Sequence, residues 1–309
     1  MKEIIIGSRG SKLALWQSEW VKARLEALEP GVSVRIEIIK TTGDVRLDVP
    51  LSTIGGQGAF TKELEVALLD RRVDVAVHSL KDLPTATPEG LSITATPERA
   101  DPRDALVLRA DAVSENASLK NLAAGAVVGT SSLRRIAQLK HLRPDVLVKD
   151  LRGNVDTRLR KLDTGDYDAL ILASAGLRRL GFGERISAAI EPEEMLPAVS
   201  QGALGIETRS DDAETNALVS RLDDRRTRAA VLAERSLLRC LGGGCQVPIA
   251  AHATVEDGRL SLDGLVATLD GAEVLRDRIE GDADAAAGLG EELAALLIER
   301  GAARLLSEG

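Results

Sequence analysis

Residues 4–39 read IIIGSRGSKLALWQSEWVKARLEALEPGVSVRIEII, and the alternation inside this stretch decides the fold. Ile4-Ile5-Ile6 is a short apolar run that reads as a strand. Leu13 to Leu28 has helical periodicity and stops at Pro30-Gly31. Val34 to Ile39 alternates apolar and polar residues with the period of a strand. The pattern continues outward with a helix over Thr61–Leu69 and a strand over Val73–Val77. Such a βαβ rhythm predicts a mostly parallel sheet with helices on both faces. Pro97, Asp101 and Pro102 interrupt it, and then it restarts. Strands are expected over Ala105–Leu108, Ala126–Val128, Val146–Val148 and Ala169–Leu172, with helices over Leu133–Leu142 and Val155–Leu162. The chain is therefore read as two α/β units with a seam near residue 100 and a second near Pro192–Pro197.

The last hundred residues have a different character. A helix over Arg225–Leu241 ends at three glycines. Ala250–Thr254 and Arg259–Leu262 flank Asp257-Gly258, and Leu265–Leu269 and Glu273–Arg276 flank Asp270-Gly271. Asp-Gly between alternating runs is a hairpin signal. A final helix over Ala285–Leu306 completes a small α+β domain with an antiparallel sheet.

Composition narrows the function. Forty basic and forty-eight acidic residues give a net charge of -8, and aromatics are 2%. A general nucleic-acid binder needs a basic surface and stacking rings, so none is expected as a partner. No apolar run approaches a membrane span, and Met1 to Gly7 lacks the pattern of a signal peptide, so a cytoplasmic protein without a membrane partner is expected. The two cysteines, Cys240 and Cys245, are not spaced as CxxC. His78, His141 and His252 are scattered, so no metal site is expected.

Chemistry concentrates where strands end. Gly7-Ser8-Arg9-Gly10-Ser11, Gly129-Thr130-Ser131-Ser132-Leu133-Arg134-Arg135, Leu151-Arg152-Gly153-Asn154 with Arg158, and Ala173-Ser174-Ala175-Gly176-Leu177-Arg178-Arg179 each follow a predicted strand. Doubly wound sheets bind ligands at the carboxyl ends of their strands, helix starts attract anions, and arginine grips carboxylates in bidentate fashion. Taken singly, each segment also reads as helix caps with solvated arginines. Repeated four times, the pattern reads as a polyanion cleft lined by Arg9, Arg134, Arg135, Arg152, Arg158 and Arg179, with Arg178 facing another way. No P-loop or GxGxxG is present, so several carboxylates suit the cleft better than a nucleotide.

Two further features stand apart. In His78-Ser79-Leu80-Lys81-Asp82-Leu83-Pro84, Asp82 is an acid at the same edge. It reads either as a group for proton transfer and cation stabilisation or as an N-cap paired with Lys81. In Leu241-Gly242-Gly243-Gly244-Cys245-Gln246-Val247-Pro248, Cys245 reads either as a thiol reaching into a cleft or as a small buried hydrophobe. Cys240 fits the buried role better, beside Leu237, Leu238 and Leu241.

Eight stretches together resemble the porphobilinogen deaminase family: RGSKLALWQ (Arg9–Gln17), GGQGAFTKEL (Gly55–Leu64), VHSLKDLP (Val77–Pro84), GTSSLRR (Gly129–Arg135), LRGNVDTRL (Leu151–Leu159), ASAGLRRL (Ala173–Leu180), QGALGIE (Gln201–Glu207) and GGCQVP (Gly243–Pro248). The resemblance implies two domains like periplasmic binding proteins with the cleft between them, 1–98 with 198–222 and 99–197, and a third domain, 223–309, carrying a cofactor loop. It implies a dipyrromethane cofactor held by Cys245 through a thioether. Four porphobilinogens are then condensed with loss of ammonia to hydroxymethylbilane, in haem and related tetrapyrrole biosynthesis, by a monomer. Carried onto this chain, Arg9, Ser11, Ser132, Arg134, Arg135, Arg152, Arg158 and Arg179 bind acetate and propionate groups. Lys81 and Gln17 assist, Phe60 packs near the cofactor rings, and Asp82 meets the pyrrole N–H. Gln57 stands where many members carry Lys, and Lys62 lies nearby to replace it in part. The competing readings are a non-catalytic two-domain binding protein for a small carboxylate anion and the ligand-sensing half of a transcription regulator. The latter lacks a basic helix-turn-helix here.

Overall fold

The computed structural model describes residues 2–42, 61–113, 116–243 and 247–307. Its strands are β1 (Lys2–Ser8), β2 (Val32–Ile38), β3 (Val75–Ser79), β4 (Leu91–Ala95), β5 (Asp104–Leu108), β6 (Val127–Gly129), β7 (Leu147–Lys149), β8 (Ala169–Ala173), β9 (Ala188–Ile190), β10 (Leu204–Arg209), β11 (Ile249–Glu256), β12 (Arg259–Ala267) and β13 (Val274–Asp282). The described helices are α1 (Lys12–Leu28), α2 (Lys62–Leu69), α3 (Leu133–Leu142), α4 (Val155–Asp163), α5 (Ser174–Arg179), α6 (Ala213–Val219), α7 (Arg225–Cys240), α8 (Ala286–Glu299) and α9 (Ala302–Ser307). The chain divides into two compact units, Met1–Arg99 with Ala203–Arg228 and Ala100–Gly202 with Ala229–Gly309.

The first unit holds a five-stranded sheet in the order β2-β1-β3-β10-β4. β1 runs parallel to β2 and β3, and β10 is antiparallel to both β3 and β4, so β10 alone is reversed. Alternation along β1 explains the layering: Ile4 and Ile6 pack with Val21 and Leu25 of α1, while Ile5 lies against the Leu64 and Leu68 cluster of α2 on the other face. The sheet of the second unit, β7-β6-β8-β5-β9, repeats the plan. There β5 alone is reversed. Leu106, Val128 and Ile171 face Leu139 of α3, and Val107, Leu170 and Leu172 face Leu159 and Leu162 of α4.

The reversed strands start where the parallel strands end. Leu204 of β10 lies opposite Ser79, the last residue of β3, and Asp104 of β5 lies opposite Ala173, the last residue of β8. The chain thus enters each sheet at the carboxyl edge, where ligands bind in such folds.

The second unit also contains the antiparallel meander β11-β12-β13. One face packs on Ala233 and Leu237 of α7 and on Leu293 and Leu297 of α8. The other face, through Ala250, Leu265 and Ala267, packs on Ala137 of α3 and on Leu196. A Cβ on Gly290 would lie 2.3 Å from the Ala233 carbonyl oxygen, so glycine sets how closely α7 and α8 approach.

The expected α/β class with a small antiparallel α+β domain is what the structure shows, with differences in detail. β12 is one strand where two short ones were expected. Asp263-Gly264 lies inside it because a side chain at 264 would meet Leu237 Cδ2 at 2.9 Å, so this glycine serves packing rather than a turn. The final helix is broken at Gly301, whose φ of 102° leaves the helical region. β4, β9 and β10 were not anticipated. β10 is instructive: Glu207, Thr208 and Arg209 are all buried, so its polar second half hides a central strand. There Arg209 donates from Nη1 to the carbonyls of Leu68 and Val73 and from Nη2 to Asp74 and Asp212.

Candidate active site

At the carboxyl edge of the first sheet, β1 runs into Arg9-Gly10-Ser11. Ser11 is the N-cap of α1, and its hydroxyl accepts from the Ala14 N–H at 3.3 Å. Gln17, buried in α1, donates through Nε2 to Ser79 Oγ at 2.8 Å, which ties the Arg9–Gln17 segment to the end of β3. After Ser79 the chain makes one 3-10 turn, Leu80–Asp82. The turn is anchored by buried Leu80 and Leu83, and the Leu80 N–H donates to the Ala203 carbonyl at 3.0 Å. Between these anchors Lys81 is half-buried and Asp82 is exposed. No described residue donates a hydrogen bond to the Asp82 carboxylate. The cap position belongs to Ser79 and Asp82 is the last residue of the turn, so the N-cap reading of Asp82 is overturned. Behind the turn, buried His78 meets Glu207 through Nε2 and Oε2 at 3.0 Å, a structural role.

The corresponding edge of the second sheet is organised around a residue the sequence reading passed over. Asp104, the first residue of β5, has no exposed surface. Arg134 Nη1 donates to its Oδ2 at 2.7 Å, and Arg135 donates to its Oδ1 from Nη2 at 2.7 Å and Nε at 3.1 Å. Gln201 Nε2 adds a bond to Oδ1 at 2.8 Å and another to the Pro102 carbonyl. The guanidiniums are held from outside by carbonyls, Leu196 for Arg134 and Ile171 for Arg135. Burial alone would raise the Asp104 pKa, but the pull of Arg134 and Arg135 and their hydrogen bonds holds the carboxyl far below the usual range. Two guanidiniums against one carboxylate leave this buried cluster with one positive charge. Arg134 Nε is buried with no hydrogen-bond partner among the described residues.

The other predicted residues of this unit follow the carboxyl ends of its strands or sit on the helices that start there. Ser132 is the N-cap of α3, but its side chain makes no capping bond. Ser131 Oγ donates to the Leu151 carbonyl and accepts from the Leu151 N–H, which joins the Gly129–Arg135 segment to the loop bearing Arg152 and Arg158. Arg152 Nε donates to Asp150 Oδ2 at 2.9 Å, and Arg158 Nε donates to the Gly153 carbonyl at 2.7 Å. Arg179, at the end of α5, donates from Nη2 to the Gly202 carbonyl at 2.8 Å, and burial pulls its pKa down to about 10, so it stays charged at neutral pH. Arg178 is exposed, as expected.

Cys245, Phe60 and Gln57 lie outside the described residues. Cys240 is exposed, contrary to the buried role expected of it. It lies at the edge of the face of α7 that buries Ala230, Ala233 and Leu237, and the helix ends there, so no further turn covers it. Asp104 and Gln201 were missed as site residues. An acid directly before the apolar run Ala105–Leu108 was the available signal for Asp104. Gln201 stood inside a recognised motif but carried no assigned role. Among the described residues, no group of three or more His, Cys, Asp or Glu is placed to hold a metal. Among the described residues no helix is long and apolar enough to cross a membrane.

Comparison with known proteins identifies the family. Residues 4–217 match the family model described as porphobilinogen deaminase, dipyromethane cofactor binding domain, and residues 228–299 match the porphobilinogen deaminase C-terminal domain. A porphobilinogen deaminase of Syntrophobacter fumaroxidans is 52% identical over 305 residues, covering 99% of this chain and 97% of the relative. One from Chromobacterium violaceum is 53% identical over 307 residues, covering 99% and 98%. Among solved structures, an ancestral arginine-binding protein bound to arginine aligns with a TM-score of 0.39 at 15% identity, over 72% of this chain and 91% of that one. With two family models spanning most of its length and relatives at about half identity from end to end, the chain belongs to the porphobilinogen deaminase family.

Proposed function

We propose that this chain condenses four molecules of porphobilinogen head to tail on a dipyrromethane primer joined to Cys245 by a thioether, releasing four ammonia, and that water then cleaves the linear tetrapyrrole from the primer as hydroxymethylbilane. The observation that carries this reading is the buried cluster at the second sheet's edge. Arg134 and Arg135 share one Asp104, keep a net positive charge, and include an N–H with no partner among the described residues. These residues fit a group bearing acetate and propionate side chains, because burying an uncompensated cation is costly and an arriving carboxylate relieves that cost.

The dipyrromethane supplies the pyrrole carbon at which the first new bond forms. The chain's own residues do the rest. Arg134 and Arg135, with Ser132 at the start of α3, hold primer carboxylates. Arg9, Ser11, Arg152, Arg158 and Arg179 take up carboxylates of substrate and growing product, assisted by Lys81 and Gln17. In each cycle one porphobilinogen loses its amine as ammonia, a carbon–carbon bond forms to the terminal ring, and that ring gives up its α-proton. Positive charge develops on the pyrrole as the amine leaves. An exposed carboxylate on a rigid turn, Asp82, can accept the ring N–H, stabilise that charge, and carry the proton between the departing amine and the ring carbon.

We further propose a cytoplasmic monomer built of 1–98 with 198–222, 99–197 and 223–309, without nucleic-acid or membrane partners; the net charge of -8 supports the exclusion of nucleic acid. A binding protein for a small carboxylate would use the same arginines but would carry nothing on Cys245. Intact mass under denaturing conditions separates the two. An excess equal to one dipyrrole, together with hydroxymethylbilane formation from porphobilinogen, is expected. Bare polypeptide mass in active preparations would refute the covalent primer.

A further inference from the structure

The Asp104 cluster has a property that neither the sequence motifs nor the family match assigns. Its carboxylate lies at the mouth of the second sheet, yet it is completely buried and accepts four hydrogen bonds from three side chains. Those donors come from residues 30, 31 and 97 positions away. Arg134 and Arg135 are consecutive in a helix, so their side chains leave the axis about 100° apart. Nothing in the helix itself makes them converge. They converge because Oδ2 takes one guanidinium and Oδ1 the other, while Gln201 fixes the carboxylate plane by bridging it to the Pro102 carbonyl.

We infer that Asp104 is the positioning residue for the Arg134–Arg135 pair: it sets both guanidiniums in one orientation and cancels one of their two charges, leaving the pair matched to a single carboxylate. Without that cancellation the pair would carry two buried positive charges, which would repel each other and swing apart. With it, one cation remains to be neutralised, and Arg134 Nε, which has no partner among the described residues, is a donor ready for that task. Gln201 acts one step further back, holding Asp104 rather than the ligand. This inference rests on the proposed use of Arg134 and Arg135 in holding the primer.

The test follows primer loading, not turnover. The protein is expressed in a host unable to make porphobilinogen, and porphobilinogen is then supplied. The gain of dipyrrole mass is timed by denaturing mass spectrometry at a temperature well below the melting transition. Three variants are compared: Asp104→Asn, the milder Gln201→Met, and Leu139→Ala. Leu139→Ala removes a core side chain from the same helix without touching the cluster, so it serves as a control for loss of stability. Breaking one charge-assisted hydrogen bond by misorienting its donor corresponds to about ten- to a hundredfold. Asp104→Asn is therefore expected to load at least about tenfold more slowly than Leu139→Ala. Gln201→Met, which keeps all three charges, should be slowed in the same direction by less.

If Asp104→Asn does not fold, the comparison of Gln201→Met with Leu139→Ala decides the matter. Equal loading of those two at similar melting temperatures would overturn the inference, as would loading of folded Asp104→Asn at the control rate. Failure of the wild-type chain to gain mass would instead defeat the covalent-primer reading. The two failures are therefore distinguishable.

Discussion

Replacing Asp82 by Asn is the perturbation that separates chemistry from architecture most cleanly. Asp82 is exposed, receives no hydrogen bond from a described residue, and ends a 3-10 turn whose rigidity comes from buried Leu80 and Leu83 and from the Leu80 N–H to Ala203 carbonyl bond. Its charge therefore does little for the fold. A surface change of this kind shifts stability by no more than about 0.5 kcal/mol, and the melting temperature should hardly move. The rate should respond strongly. A positioned acid–base or cation-stabilising group contributes about 10²–10⁴-fold, which is about 3–5 kcal/mol of barrier. Asp82→Asn keeps the shape and loses the charge. Steady-state hydroxymethylbilane release, divided by the fraction of protein carrying the dipyrrole mass, should fall at least about 10²-fold. Asp82→Glu keeps the charge on a longer arm and should retain more activity than Asn. A near-normal rate per loaded Asp82→Asn molecule would remove Asp82 from the mechanism. A large drop in melting temperature would show that the turn depends on the carboxylate after all.

Other outcomes follow from the same geometry. Cys245→Ser should lack the attached dipyrrole and be essentially inactive, whereas Cys240→Ser, at an exposed helix end, should keep both; intact mass and activity report each. Arg179→Leu should begin elongation and stall, seen as partially extended adducts by mass spectrometry, because Arg179 makes no bond to Asp104 and donates to the Gly202 carbonyl, so its loss leaves the Arg134–Asp104–Arg135 ion pairs that would hold the primer in place. Asp104 should shape acid denaturation. Its folded pKa lies below its unfolded value, so its stabilisation is fully present above the unfolded pKa of about 3.9 and is lost as pH falls toward the folded value. Equilibrium unfolding between pH 7 and pH 3 should show Asp104→Asn with lower stability at neutral pH and a shallower acid slope than wild type. Parallel slopes would refute that assignment.

Local chemistry was legible because it is periodic or adjacent. The apolar run of β1, the helical period of α1, the alternation of β2 and the Asp257-Gly258 turn between β11 and β12 all follow from neighbours a few residues apart. Arg9, Ser132, Arg152 and Arg179 could be placed at strand ends for the same reason. Polar strands defeated the reading. β10 buries Glu207, Thr208 and Arg209, and no hydropathy pattern anticipates a central strand whose arginine donates to carbonyls over a hundred positions away.

The amino-acid order alone therefore settled the class of each unit and which basic residues follow its strand ends, since backbone periodicity and helix starts depend on short-range sequence. Long-range packing settled which strand enters each sheet reversed and that Asp104 lies beneath Arg134 and Arg135. It also settled that Asp82 stands exposed on its turn while Cys240 does not go inside. Those outcomes depend on pairings across roughly thirty to a hundred and thirty residues. There, a buried charge is tolerated only where a distant partner arrives to meet it.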